Sequence, residues 1–275
     1  MTRRPPLPPA LKSAHVKLQR ANLHKRIAKR EAVRLFNGHP NPTFRIDPQG
    51  DQDLTVGAIN RANIVYDGEG IEIPDSFAAR FGDAIHNYRC VLDHIAWQLV
   101  CHGRSWPLPS EWAENQVQFP IYNTKRVFDN NVRTRRLVGV DNAAVSYIKT
   151  RHGYVRGQAT NNGLLAISAL SNNDKHRTLH VFLNFFRTLE TDITIEGAVP
   201  VTWENPPVRP EVKKDAVVTC FSYRVLDADF KMHMNLRPEV QIVIEDGRDF
   251  SEILEGITVE VTEILYAPEI IAAVS

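Results

Sequence analysis

The order of patterns along this 275-residue chain predicts an α+β fold: a helical core with a long central helix over residues 76–102, flanked by antiparallel strands. Three observations carry the prediction. Phe77, Phe81, Ile85, Tyr88, Leu92, Ile95 and Leu99 recur at steps of three and four, the seam of an amphipathic helix. Short β-branched and alternating runs occur over 43–74 and again beyond residue 188, broken by Pro, Gly and Asp. Helical spacing then returns with Ile253, Ile257, Val261 and Ile264.

In order, residues 1–9 form a Pro-rich lead. Residues 10–36 read as a basic helix stopped by Asn37-Gly38, with Pro40 and Pro42 preventing continuation. Residues 43–47, 63–66 and 71–73 read as short strands. Pro74-Asp75-Ser76 supplies an N-cap for the long helix, which ends near His102-Gly103. An irregular connection runs to Phe119-Pro120-Ile121. Residues 124–136 read as helical, Asp141-Asn142 caps a helix over 143–151, and a Gly/Asn-rich loop at 153–163 leads to a seam at 164–170. Strands follow over 192–195, 216–221 and 239–244, with Pro206, Pro207 and Pro210 between them. Asp249-Phe250-Ser251 opens the last helix. The domain reading is a basic helical arm over 1–38 and a single α+β domain over 39–275. Within that domain lie a helical core (75–186), a β-rich segment (188–246) and a C-terminal helix (249–266).

A content of 43% hydrophobic and 24% charged residues is that of a globular chain rather than a disordered one. The longest apolar runs fall far short of the roughly 20 residues needed to cross a bilayer, so no membrane partner is expected. The basic N-terminus has no apolar stretch behind it, which argues against a secretory signal. Cys90, Cys101 and Cys220 are odd in number and lack CxxC spacing, which excludes a disulfide framework or zinc ribbon and points to a reducing cytoplasm. There is no glycine-rich phosphate loop and no GxSxG, so no cofactor is expected.

The net charge of +1 conceals an asymmetry. Residues 1–36 hold ten basic groups against the single acid Glu31, a net of +9, which leaves −8 for residues 37–275. Arg26, Arg30 and Arg34 stand at i, i+4 and i+8, with Lys25 and Lys29 beside them. Like charges so spaced repel by a few tenths of a kcal/mol per pair, and a polyanion relieves that repulsion while releasing counterions. Nucleic acid is therefore one reading. The other is a helix docked on the acidic remainder of the chain or of a second copy.

Two polar clusters stand out: residues 86–94, with His86, Asn87, Arg89, Asp93 and His94, and Asn172-Asn173-Asp174-Lys175-His176-Arg177. At 100° per residue, His86, Arg89 and Asp93 fall within about 60° of one another, whereas His94 lies about 140° from Arg89. Ionisable groups beside a buried seam need partners. The clusters are thus either a structural network joining two packed helices or an active site. His176 and His180, at i and i+4, add a metal reading with His86 or Asp93, for a metal-dependent hydrolase. The zincin glutamate is missing, and no metal ligand set is assigned.

The series Gly82-Asp83-Ala84-Ile85-His86-Asn87-Tyr88-Arg89, Leu92-Asp93-His94, Phe119-Pro120-Ile121 and Ser171-Asn172-Asn173-Asp174-Lys175-His176-Arg177 resembles a family of uncharacterised bacterial and phage proteins. That resemblance covers roughly residues 60–180 and implies no particular activity. Arg89-Cys90-Val91-Leu92-Asp93-His94 also resembles the Arg, four to six residues, His signature of the HEPN superfamily, which includes metal-independent ribonucleases. In that family a polar residue commonly follows the Arg, where this chain has Cys90. The resemblance implies cleavage of RNA rather than DNA, linked to phage or defence. His94 would carry the proton, Arg89 would steady phosphoryl charge, Asp93 would hold Arg89, and Asn87 would steady His94. It further implies a homodimer.

Overall fold

The structure is a computed structural model. It describes residues 5–37, 43–70, 72–104, 116–132, 136–156, 163–176, 181–185, 190–204, 212–227, 229, 231–237, 240–244 and 247–275. The fold is α+β. The chain divides into two compact units, one of Met1–Glu31, Asp75–Leu179 and Phe250–Ser275, the other of Ala32–Pro74 and His180–Asp249. This partition differs from an arm over 1–38 and a single domain over 39–275. The reason is that Leu11, Ala14, Leu18, Ala21 and Ala28 are all buried, so most of the basic segment is part of the helical core.

The first unit is helical. A 3-10 turn leads into α1 (Lys12–Asn37), whose apolar stripe is mostly alanine. The central helix α2 (Asp75–Arg104) follows the predicted seam, and all seven seam residues are at most 2 % exposed. Ala84, Val91, Ala96 and Val100 are buried too, so α2 is covered on more than one side, as a central helix must be. Next come α3 (Lys125–Asn131), α4 (Asn142–Thr150), the short α5 (Gly153–Arg156) and α6 (Gly163–His176). Thr124 caps α3 through the Val127 amide, and Asp141 caps α4 through the Ala143 amide at 2.7 Å.

After the second unit's strands the chain returns as α7 (Phe250–Leu265) and α8 (Pro268–Ala272). α2 packs on both α6 and α7. Phe250 meets the rings of Phe77 and Phe81 edge-on at 5.1 and 5.9 Å. A Cβ on Gly163 would lie 3.0 Å from the Gly256 carbonyl, so the absent side chain is what lets α6 approach α7. Tyr88 donates to Asn22 at 2.8 Å and lies 2.7 Å from the Thr258 hydroxyl, tying α1, α2 and α7 together, and burial pushes its phenol up to about 12.

The second unit is built of antiparallel pairs. β1 (Phe44–Pro48), β2 (Ile59–Tyr66), β5 (Ala198–Glu204) and β6 (Val217–Val225) form one sheet in the order β1-β2-β6-β5. β3 (Val181–Phe185) pairs with β8 (Val240–Ile244), and β4 (Glu190–Glu196) with β7 (Lys231–Arg237). Period-two alternation puts Ala62 and Ile64 of β2 with Phe221, Tyr223 and Val225 of β6 in one apolar cluster, where Ala62 pairs directly with Phe221. Asp215 adopts a positive φ of 65° in the turn before β6, and Arg45 bonds it at 2.7 Å.

Some expectations fail. Glu72 and Ile73 form no strand, and Ile71 lies outside the described residues. The helix expected over 124–136 is α-helical over Lys125–Asn131 and of π type at Val132 and Arg136, where the Leu137 amide donates to the Val132 carbonyl at 2.7 Å; residues 133–135 lie outside the described residues. β3 occupies residues assigned to the helical core over 75–186, because its pairing partner lies about 60 residues downstream and leaves no local trace.

Candidate functional site

The stretch 86–94 sits mid-way along α2, where one helix faces several neighbours. Arg89 and Asp93, one turn apart, form an ion pair: Arg89 Nε donates to Asp93 Oδ2 at 3.0 Å, and Nη2 lies 3.0 Å from Oδ1. Both also grip the backbone of Phe119. Its amide donates to Asp93 Oδ1 at 2.9 Å, and its carbonyl accepts from Arg89 Nη2 at 3.2 Å. The same irregular connection is held twice more. Arg136 Nη1 donates to the Gln116 carbonyl at 3.0 Å, and His152 Nε2 lies 3.0 Å from the Pro120 carbonyl.

Backbone polar groups outside a helix or sheet must find partners elsewhere, and here four ionisable side chains provide them. The Arg/Asp pair and the Phe119-Pro120-Ile121 run are two sides of one clamp. His152 is buried against the Phe128 ring, 4.8 Å away, and burial lowers its pKa.

The clamp walls a cleft of about 190 Å³ whose lining includes Arg89, Asp93, Arg136, Ser168, Ser171 and Asn172. His94 is not part of that lining. Its Nδ1 lies 3.0 Å from the Ser13 hydroxyl of α1, and its pKa is lowered by partial burial and then by Lys17, against the pull of Asp93. Asn87 is buried and donates to the Asp83 carbonyl at 2.7 Å rather than to His94. His86 is exposed, with Nε2 3.5 Å from Cys90 Sγ. Of the five residues grouped by the sequence, the structure brings Arg89 and Asp93 together and gives the other three separate neighbours.

The second cluster sits at the end of α6, which packs on α2 as expected. The side chains of Asp174, Lys175 and His176 lie outside the described residues, as do Arg177 and His180, and with them the metal reading. Among the described residues no group of three or more His, Cys, Asp or Glu could hold a metal ion. Nor is any described helix long and apolar enough to cross a membrane.

The basic residues of α1 fall on two faces. Lys25 Nζ donates to Glu255 and Thr258 of α7, both at 3.1 Å, and Lys29 joins it on Glu255. Glu31, the arm's single acid, pairs with Arg80 of α2 at 2.9 Å. Lys12, Arg20, Arg26, Arg30 and Arg34 are exposed, and among the described residues none has an acidic partner within ion-pair distance. At 100° per residue these five fall opposite the buried alanine stripe, on a face about 33 Å long. Val16, Leu23 and Val33 lie between them, each about half exposed.

Sequence reasoning missed Arg136, His152 and Ser168 of α6, and named Ser171 only within the motif that carries the family resemblance. Arg136 and His152 lack a local pattern, and Ser168 stands within what reads as an apolar seam. No protein-family model, curated protein or solved structure matches the chain.

Proposed function

We propose that this protein binds the phosphate backbone of nucleic acid, RNA rather than DNA, through the open face of α1, and that the residues of 86–94 hold the fold together rather than cleave. One observation carries the reading: five cations share one exposed helix face, while the arm's only acid is turned inward onto Arg80. A row of unmatched cations gains free energy by displacing condensed counterions from a polyanion. None of the described residues on that face is aromatic, so bases have no stacking platform there. Contacts to phosphate without base readout give little sequence preference.

The preference for RNA comes from the resemblance of Arg89-Cys90-Val91-Leu92-Asp93-His94 to the HEPN signature, taken as kinship and not as a cleaving site formed by Arg89 and His94. Their different neighbours weigh against those two acting as an acid–base pair, because one reacting phosphate would have to touch both. The clamp on Phe119 accounts for Arg89 and Asp93 without chemistry. Fluorescence anisotropy with labelled mixed-sequence single-stranded RNA and duplex DNA at low salt tests the reading. Binding that weakens steeply as salt rises is expected, with the RNA intact afterwards. Absence of binding at low salt overturns it. So does binding only to vesicles of anionic lipid, which would assign the mixed cationic and apolar face to a membrane surface.

A further inference from the structure

The cleft beside the Phe119 clamp has a composition that the clamp does not require. Arg89 and Asp93 neutralise each other, and Asp93 Oδ1 also accepts the Phe119 amide. Arg136 is different. One of its nitrogens is bound to the Gln116 carbonyl, and among the described residues no carboxylate lies within ion-pair distance of it. The described lining therefore carries a net charge of +1, placed on a planar group with five N–H donors. Beside it stand neutral donors, the hydroxyls of Ser168 and Ser171 and the Asn172 amide. Ser171 is only 4 % exposed, and it lines the cleft.

We infer that this cleft is a binding site for a small phosphate-class oxyanion, either inorganic phosphate or the phosphate group of a small ester. Charge and donor type select the chemistry: a guanidinium fork and hydroxyl donors match the oxygens of an oxyanion, and such charge-assisted bonds are the strong ones. Size bounds the ligand. About 190 Å³ holds roughly six waters at about 30 Å³ each, below the roughly 300 Å³ at which pockets for drug-sized ligands begin. A phosphate with a few further atoms fits, and a larger ester leaves its remainder outside. The cleft shares no residue with the open face of α1, so this inference and the nucleic-acid reading fail or hold separately.

Isothermal titration calorimetry on the full chain, at constant ionic strength, with inorganic phosphate and adenosine monophosphate as probes, tests the site. Saturable one-to-one binding of at least one probe is expected. Phosphate as the tighter ligand identifies the free anion, and the monophosphate as the tighter ligand identifies an ester. Arg136→Gln should weaken binding by about tenfold or more, and Ser171→Ala by about threefold, as expected for losing a charged and a neutral hydrogen bond. If Arg136→Gln disturbs the fold by circular dichroism, the Ser168→Ala, Ser171→Ala double variant decides. No saturable heat with either probe overturns the inference, as does an affinity indifferent to every folded variant of the cleft.

Discussion

Lys25 and Lys29 of α1 end on Glu255 and Thr258 of α7, whereas Arg20, Arg26 and Arg30, on the same helix and within two turns, meet no acid among the described residues. Each of these five cations adds one unit to the +9 of the N-terminal segment, yet the two sets belong to different physics. The lysines reach across a helix–helix contact and share one carboxylate, Glu255. The arginines stand in water and repel one another. Net charge is thus a sum over two faces, and only one of them is offered to a partner. The same division runs through α2, where Arg89 is matched inside the fold and His86 is left outside it.

The comparison implies that matched charges govern stability and unmatched ones govern binding. Breaking a matched pair should have the largest effect. Asp93→Ala leaves the guanidinium of Arg89, whose side chain is 16% exposed, without its carboxylate and the Phe119 amide without its acceptor. A loss of about 3 kcal/mol is expected, read as a lower urea midpoint at unchanged slope. A loss below about 0.5 kcal/mol would mean that the clamp does not hold the 116–121 segment.

A smaller effect comes from pH. His94 and His152 both have pKa values lowered by burial in the fold. As pH falls, the unfolded chain takes up these protons near pH 6.5 and the folded chain only lower. Their contribution is therefore complete above about pH 6.5 and declines below it. Urea midpoints measured between pH 7.5 and 5.5 should fall, and His94→Gln and His152→Gln should each flatten that slope. A wild-type profile that is flat or rises toward acid contradicts this.

The smallest stability effect belongs to Glu255→Gln, expected to cost less than about 1 kcal/mol because the Glu255 side chain is 53% exposed. Its carboxyl is held below the usual range by Lys29 and then Lys25. The contribution is present above the unfolded carboxylate pKa and is lost as pH falls through the lower folded value, so wild type and variant should converge in acid. The same variant releases two cations and should tighten RNA binding. Unchanged or weaker binding would blur the line between the two faces.

How much of this was legible in the sequence follows from distance along the chain. The α2 seam and the Arg89–Asp93 pair are local, set by steps of three and four, and both are present as read. The clamp is not legible: Phe119 lies 26 residues from Asp93, and Ser13 lies 81 from His94, and no periodicity encodes such partners. The split of the arm's charges had a visible signal. Ala14, Ala21 and Ala28 recur every seven residues and mark the buried side, from which the wheel places Arg20, Arg26 and Arg30 opposite. Strands β3, β5 and β7 carried no comparable signal, since short strands are fixed by what they pair with.

The central claim is tested most directly by the salt dependence of single-stranded RNA binding in two variants matched for charge. One removes three open cations, Arg20→Gln, Arg26→Gln and Arg30→Gln, and the other removes the two docked ones, Lys25→Gln and Lys29→Gln. For single strands each phosphate contact contributes about 0.7 to the slope of log K against log salt. The arginine variant should therefore lose about 2 from the slope and most of its affinity at low salt, with its urea midpoint unchanged. The lysine variant should keep the wild-type slope and lose stability instead. Equal loss of slope in the two variants, or loss only in the lysine variant, would contradict the account.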